Sequence, residues 1–146
     1  MAELYGSVRA SLDWGGSTLE CEGMPRPDGA GARLRFAGPA VTADEKLRLA
    51  FIFGLPDLVR GQTGRELPTS VTLIEEGSGE FFATRDTDNC WTDIDLHEQI
   101  RPAPAASYRI SGVLYCVAPL ANLNDNSSVS FADLRFAGRL DWRPPE

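Results

Sequence analysis

The side chains best suited to bind a ligand are concentrated in residues 84–97. This segment carries the only histidine of the chain, one of its three cysteines and one of its three tryptophans. It also carries four aspartates within ten residues, Asp86, Asp88, Asp93 and Asp95. Calcium takes six to eight oxygen ligands from flexible loops, so these carboxylates are candidate metal ligands.

The aspartates do not form an EF-hand, because the required glycine and the glutamate at loop position twelve are missing. The alternative is a solvated acidic turn whose Asp and Asn side chains cap backbone groups. If the chain after Cys90 is extended, Asp93 and Asp95 point to the same side. We therefore expect no cofactor, with calcium as the one candidate to test.

Trp91 differs from the other tryptophans because it lies in a polar segment. Trp14 and Trp142 lie in alternating, strand-like segments and are expected in the core. An exposed indole ring can stack on the apolar face of a sugar while its polar edge stays wet. Trp91, with Asn89 and His97 near it, is therefore the candidate ligand-binding set.

Cys90 and Cys116 both lie beside aromatic residues, Trp91 and Tyr115, in strand-like segments. If the two strands are neighbours, a disulfide can join the cysteines across a separation of 26 residues. Two buried free thiols are the alternative, since a thiol packs as a small hydrophobe. No C-x-x-C motif occurs, which argues against a zinc knuckle or a dithiol redox site.

Catalytic motifs find little support in this chain. A Cys–His enzyme or a serine triad would have to use His97, and no G-x-S-x-G motif is present. Glu75, Glu76 and Glu80 could supply a carboxylate pair, but they flank an expected hairpin turn and should face solvent. Phosphate-binding glycine loops are absent from the sequence. The sequence therefore predicts a protein that is not an enzyme.

The charge and hydropathy of the chain limit the classes of partner that it is expected to bind. The 146 residues carry a net charge of −7, with a single lysine and dispersed arginines. Such a chain repels a phosphate backbone, so no nucleic-acid partner is expected. The longest apolar run, residues 49–53, is far shorter than the ~20 residues that span a bilayer, so no transmembrane segment is expected. No signal peptide is visible at the start, although one could have been removed.

The elements that position these residues are predicted to be short strands. Apolar residues alternate over 4–14, 47–53, 108–117 and 128–142, with almost no helical periodicity. Fourteen glycines and ten prolines supply frequent turns. We expect a single domain over 1–146, an antiparallel β-sandwich of jelly-roll type with about eight or nine strands. A closed barrel is the alternative arrangement.

Some segments carry more specific predictions. Residues 42–45 match a capping box, so the fold contains at most one short helical turn. Residues 54–68 form a long connection, and loops of that length are often functional. The residues predicted to face the core from the longest strands are Leu47, Leu49, Phe51, Phe53, Tyr108, Ile110, Gly112, Leu114, Cys116, Leu134, Phe136, Leu140 and Trp142.

Two functions from different classes fit this reading. The first is a non-catalytic β-sandwich, a binding or structural domain associated with the bacterial envelope. The second is a carbohydrate-binding module with a calcium-supported loop at 84–97. The expected partner is accordingly a protein or a glycan. We expect a periplasmic or extracytoplasmic location, with the cytoplasm as the alternative, and a disulfide would favour the former.

Overall fold

The computed structural model describes residues 2–6, 10–12, 20–25, 31–41, 46–77, 79, 81–84, 89–99, 107–122, 127–131 and 133–142. These residues form thirteen strands and no helix. The strands are β1 (Ala2–Gly6), β2 (Ala10–Leu12), β3 (Glu20–Pro25), β4 (Ala32–Val41), β5 (Lys46–Leu55), β6 (Gly64–Pro68), β7 (Ser70–Glu75), β8 (Phe81–Ala83), β9 (Cys90–Gln99), β10 (Ser107–Cys116), β11 (Leu120–Asn122), β12 (Ser128–Phe131) and β13 (Asp133–Asp141). The helical turn expected at 42–45 and the position of Trp14 lie outside the described residues.

The strands form two antiparallel sheets. The large sheet has the order β2-β1-β12-β11-β8-β7-β5-β4-β3, and a further pair between Ser11 and Val41 joins β2 to β4. The small sheet has the order β13-β10-β9-β6. The predicted all-β antiparallel sandwich is therefore confirmed. The described strands outnumber the eight or nine expected, partly because two predicted strands are divided. The prediction of one long connection over 54–68 is also wrong, because β5 extends to Leu55 and residues 64–68 pair with β9 as strand β6.

Two of the predicted strands are divided in this way. Residues 4–14 were expected to be one strand, but β1 and β2 pair antiparallel with Leu4 opposite Ala10. They are therefore two strands, and the prediction of one strand is wrong. Residues 128–142 likewise divide into two strands, with β12 in the large sheet and β13 in the small one.

Aromatic side chains from both sheets meet in the core. Phe36 of β4, Phe53 of β5 and Phe136 of β13 form a triangle with ring centroids 5.2 to 5.5 Å apart. Phe51 meets Phe131 edge-on at 5.5 Å. Burying such rings contributes roughly 1.5–3 kcal/mol each before entropy is counted, so the core fixes how the small sheet lies on the large one.

The predicted core faces agree with the structure wherever side chains are described. Leu49, Phe51 and Phe53 are fully buried on β5, which lies centrally between β4 and β7. The other predicted core residues that are buried are Tyr108, Ile110, Gly112, Leu114, Leu134, Phe136 and Leu140. Cys116 and Trp142 are half-buried and pack against the core.

No described residue belongs to a helix of the length and apolar character that crossing a membrane requires. The small sheet, rather than any helix, positions the residues singled out above. Its strands β9 and β10 carry Trp91, Asp93, Asp95, His97 and both cysteines of the disulfide candidate. Its outer face is therefore the place to look for a site.

Candidate functional site

The first half of β9 alternates between the core and solvent. Cys90, Thr92 and Ile94 are buried, whereas Trp91 and Asp93 on the other face are half-exposed. This is the period-two pattern of a strand with one covered face. The outer face of the small sheet thus presents an aromatic and an acidic side chain side by side.

A β-bulge at Asp95 ends this pattern. Ser111 of β10 pairs with Leu96 and Gly112 pairs with Ile94, so Asp95 is an extra residue on β9. A bulge of this kind reverses the phase of the strand beyond it. Gly112 permits the bulge, because a Cβ at that position would overlap the carbonyl oxygen of Asp93.

Trp91 and Tyr115 form an aromatic pair on the outer face. They are directly opposite each other in the β9–β10 register, with ring centroids 6.2 Å apart and planes 30° from parallel. Pro68 of β6 lies on the other side of Trp91 in the same row. Three neighbouring strands therefore contribute a continuous apolar strip across the sheet.

Asp93 lies one row further along this face and holds the neighbouring strand β6. Its Oδ1 accepts the backbone N–H of Glu66 at 2.8 Å and the hydroxyl of Tyr115 at 3.4 Å. Strand β6 has an extra residue between Gly64 and Leu67, and Glu66 has a left-handed φ of 53°. The carboxylate thus satisfies a backbone donor that the bulge in β6 turns towards it.

The same neighbours shift the pKa of the Tyr115 hydroxyl. Burial raises its pKa, and the negative charges of Asp93 and Glu66 raise the pKa further, whereas Arg65 opposes them. The hydroxyl therefore keeps its proton at neutral pH and can donate to Asp93. The aromatic strip and the acidic row are joined at this point.

A cleft of about 430 Å³ opens beside Asp93 on this outer face. It is lined by Thr63, Gly64, Arg65, Asp93, Ile94, Asp95, Val113 and Arg135. Asp95 is exposed, and its Oδ1 accepts the Ser111 hydroxyl at 2.7 Å. The cleft has the size of an ordinary small-molecule pocket and combines acceptors with apolar wall residues.

Arg65 and Arg135 give the cleft two positive charges. Both are exposed, and neither has an ion-pair partner in the part of the chain that the structure describes. Arg35 and Arg48 differ, since both contact the carboxylate of Glu76 at 2.9 Å. Among the described residues, no carboxylate pairs with the guanidinium groups of Arg65 and Arg135.

The predicted calcium ligands are only partly placed. Asp86 and Asp88 lie outside the described residues, while Asp93 and Asp95 line one cleft. Over the described ranges, no three His, Cys, Asp or Glu side chains are grouped so that they could hold a metal. One oxygen of each placed aspartate already accepts a protein hydrogen bond. Calcium at this loop therefore stays a prediction.

Cys90 and Cys116 form a disulfide, which decides between the two alternatives that the sequence allowed. They are directly opposite each other in the β9–β10 register, with Cα atoms 4.0 Å apart. Asn89, a predicted ligand-binding residue, precedes this bond, and its carbonyl accepts the N–H of Val117 at 2.8 Å. Asn89 thus lies just before β9 and is not among the cleft residues.

The structure does not bring His97 to the cleft. Beyond the bulge it faces inward, is 4% exposed, and pairs with buried Ile110. The rings of Tyr108 and Trp142 pack against it, with centroids at 5.0 and 5.8 Å. Of the predicted ligand-binding residues, only Trp91 is on the outer face beside the cleft.

Sequence reasoning missed most of the cleft. Arg135 comes from β13 and Val113 from β10, and neither stands out in the sequence. One signal was present, because Thr63, Gly64 and Arg65 belong to the long 54–68 connection that was expected to be functional. Bringing these segments together required the strand order of the small sheet.

No protein-family model, no curated protein and no solved structure matches this chain. The class that its own residues define is an antiparallel β-sandwich with a cross-strand disulfide. On one sheet it carries an aromatic strip next to a charged cleft. The function must be argued from that face.

Proposed function

We propose that this protein is a non-catalytic carbohydrate-binding domain whose site is the outer face of the small sheet. The observation that carries the proposal is the Trp91–Tyr115 pair next to a cleft with two carboxylates and two guanidinium groups that have no ion pair among the described residues. The rigid β9–β10 pair sets the positions of most of these groups. Sites on strands are held more precisely than sites on loops.

A sugar matches both parts of this surface. Its C–H face is apolar and packs on an aromatic ring, while its hydroxyls both donate and accept hydrogen bonds. Asp93 and Asp95 supply charged acceptors, and Arg65 and Arg135 supply donors. Charge-assisted hydrogen bonds are roughly twice as strong as neutral ones, so a few of them can orient a polyol.

A protein partner fits the described surface less well. The large hydrophobic residues exposed there lie in three separate parts of the chain: Val59 in the loop before β6, Phe81 on β8 and Val117 just after β10. Single exposed apolar residues are normal on soluble domains and do not mark an interface. The aromatic strip, in contrast, is continuous over three strands and adjoins a cleft.

The chemistry of the face argues for binding rather than turnover. The only histidine of the chain is buried on the inner side of the sheet, away from the cleft. The Oδ1 of Asp93 accepts the backbone N–H of Glu66 and the hydroxyl of Tyr115, so this carboxylate already holds two parts of the sheet together. A hydrolase of the two-carboxylate type needs one protonated acid, and nothing at Asp95 distinguishes it for that role.

The disulfide supports an oxidising compartment. Such bonds persist in the periplasm and outside the cell and are rare in the reducing cytoplasm. We therefore place the protein in the periplasm or on the outside of a bacterial cell, where glycans of the envelope are abundant ligands. The proposed site does not require calcium at 84–97, so binding is measured both with and without calcium.

The proposal is tested on a glycan array with and without millimolar calcium. We expect binding to a defined subset of glycans, and at least about tenfold weaker binding for Arg135→Ala, the loss typical of a hot-spot side chain. Arg33→Ala is the matched control, because Arg33 is also an exposed strand arginine but lies on β4 of the large sheet. Binding that needs calcium would restore the metal loop to the site. No glycan binding, or equal binding by Arg135→Ala, contradicts the proposal.

A further inference from the structure

Val113 separates opposite charges that line the cleft. In the register of the small sheet, Val113 of β10 lies between Arg135 of β13 and Asp93 of β9. The residues on either side of each of these three are buried, so all three side chains are on the outer face. Strands β13 and β9 are two strand spacings apart, roughly 9.5 Å, and no ion pair joins Arg135 to Asp93. A ligand that lies across Val113 can therefore contact both charges at once.

The negative charges of the cleft already have partners in the fold. The Oδ1 of Asp93 accepts two hydrogen bonds, and the Oδ1 of Asp95 accepts one. The positive charges differ, since no carboxylate in the described part of the chain pairs with Arg65 or Arg135. The charge that a ligand can best neutralise here is therefore positive.

A guanidinium group distinguishes a carboxylate from a hydroxyl. It donates two parallel N–H···O bonds to a carboxylate, and such charge-assisted bonds are roughly twice as strong as neutral ones. A neutral ligand that covered the cleft would take the guanidinium groups out of water without giving them a counter-ion, which is unfavourable. The cleft is therefore better matched to an acidic ligand than to a neutral one.

The aromatic strip lies one row away from these charges. Trp91 and Tyr115 are each two residues along their strands from Asp93 and Val113, a spacing of about 6.7 Å. A uronic acid carries its carboxylate directly on the sugar ring, on the opposite side from at least one hydroxyl. With the C–H face of the ring on the strip, the carboxylate and a hydroxyl reach the next row at Arg135 and Asp93.

We propose that the ligands of this cleft are glycans that contain uronic acid, and that Arg135 binds the carboxylate. Asp93 and Asp95 accept hydroxyls of the same sugar. Arg65, at the β6 side of the cleft, binds a carboxylate of a neighbouring sugar residue. This inference rests on the function proposed above, because it names the class of glycan that the site takes.

The net charge of −7 does not oppose the binding of an acidic sugar at contact distance. Charges beyond about 8 Å are largely screened at physiological ionic strength, so the groups that line the cleft decide the preference. There, the two aspartates are matched in number by two arginines. The preference therefore comes from direct contact with arginine rather than from long-range attraction, and it should depend on individual arginine side chains.

Isothermal titration calorimetry with matched pairs of ligands tests the proposal. Each pair is a trisaccharide of glucuronate, galacturonate or mannuronate and the same trisaccharide with its carboxylates methyl-esterified. Esterification removes the negative charge but leaves the sugar rings and their hydroxyls unchanged. With EDTA present, we expect at least one acid to bind at least about tenfold more tightly than its ester, a difference that charge-assisted hydrogen bonds can supply.

Three variants at exposed arginines locate the preference. Arg135→Gln keeps hydrogen-bond donors but removes the charge, so the ratio of acid to ester affinity should fall at least about fivefold. Arg65→Gln should lower the same ratio at least about twofold. Arg109→Gln is the matched control, because Arg109 is on the same face, opposite Glu98, and is not among the cleft residues. It should leave the ratio unchanged, and thermal unfolding checks that each variant is folded.

The proposal is overturned if acids and esters bind equally, or if Arg109→Gln lowers the ratio as much as Arg135→Gln. It is also overturned if the acid is preferred only after EDTA is replaced by millimolar calcium, since a bridging cation would then recognise the carboxylate. All these results leave glycan binding itself intact. If no acid, ester or neutral glycan binds, the function proposed above fails, and the preference for uronic acid fails with it.

Discussion

The two halves of β9 both carry side chains that could bind a ligand, but the first half turns them outward and the second half turns its histidine inward. Before the bulge, Trp91 and Asp93 face outward beside a cleft. After it, His97 faces inward and is 4% exposed. One extra residue, Asp95, separates the two arrangements. The first half of β9 thus turns an aromatic and an acidic side chain outward, and the second half keeps the histidine of the chain inside.

The difference shows that unused hydrogen-bonding capacity, rather than residue type, marks a site. Each ring nitrogen of His97 already has a partner in the fold. Asp93 and Asp95 each use one oxygen in the described contacts, and Arg65 has no ion pair there. A saturated buried group stabilises the fold, whereas a fixed but unsaturated one can take a ligand.

The largest expected loss in the free energy of unfolding comes from disturbing the bulge that separates the two halves of β9. In Gly112→Ala the new Cβ overlaps the Asp93 carbonyl oxygen, so the backbone of β9 must move. We expect a loss of about 3 kcal/mol or more in the free energy of unfolding, measured by urea titration. Gly77→Ala is the control, because nothing lies within 4 Å of a Cβ there. Equal stability of the two variants would mean that the bulge does not separate the halves.

This prediction also shows what the sequence could and could not foretell. Alternation correctly placed Ile110 and Leu114 in the core. Alternation carries no mark of an inserted residue, so His97 was expected beside Trp91. Gly112 in mid-strand was the only local sign of a bulge, and a glycine there has several explanations.

The cleft was unpredictable for a different reason. Its lining comes from β9, β10, β13 and the segment before and within β6. Strand alternation indicates which face a residue is on, but it does not indicate which strands are neighbours. The order β13-β10-β9-β6 brings Arg135 and Arg65 to the same cleft although they are far apart in the chain. The disulfide was foreseeable as one of two alternatives because it needs only that β9 and β10 pair.

The second largest loss of stability is expected from removing the disulfide at the start of β9. Replacing both residues, Cys90→Ala with Cys116→Ala, frees a loop of 26 residues in the unfolded chain. The loop-entropy relation gives a loss of about 3 kcal/mol, which a urea titration would detect. Cys21→Ala is the control, since Cys21 is outside this bond.

Thiol counting gives an independent check of the same bond. Under denaturing, non-reducing conditions we expect at most one reactive thiol from the three cysteines, and three after reduction. Three reactive thiols without reductant would show that the bond is absent. In that case the support for an oxidising compartment would be lost as well.

The third largest loss of stability is expected in the second half of β9, where His97 is buried. His97→Phe leaves the part-buried Trp142 N–H and Gln62 carbonyl without their partner, and a fully buried group left unsatisfied in this way costs about 1–3 kcal/mol. We expect a net loss of about 2 kcal/mol at pH 7.5, smaller than the sum because the phenyl ring fills the space.

The pH dependence of that loss is the sharper part of the measurement. The lowered pKa of His97 means that the unfolded state binds the proton more readily, so wild-type stability falls as the pH drops from about 6.5. The Phe variant has no such proton, and the gap between the two proteins should narrow towards pH 5. A gap that is constant over this range would show that His97 is not held neutral.

The smallest change in stability is expected beside the first half of β9, where Asp93 accepts a hydrogen bond from the strained backbone of Glu66. Glu66 has a left-handed φ of 53°, a conformation that costs most residues about 1–2 kcal/mol. Glu66→Gly relieves this strain and loses about 0.5–1 kcal/mol through the greater freedom of the unfolded chain. The expected result is a net gain of about 0.5 kcal/mol in urea unfolding. Glu66→Ala removes the same charge but keeps the strain, so it should show no gain. If the two variants are equally stable, Asp93 is not compensating strain in β6, and its carboxylate is more available to a ligand than the geometry implies.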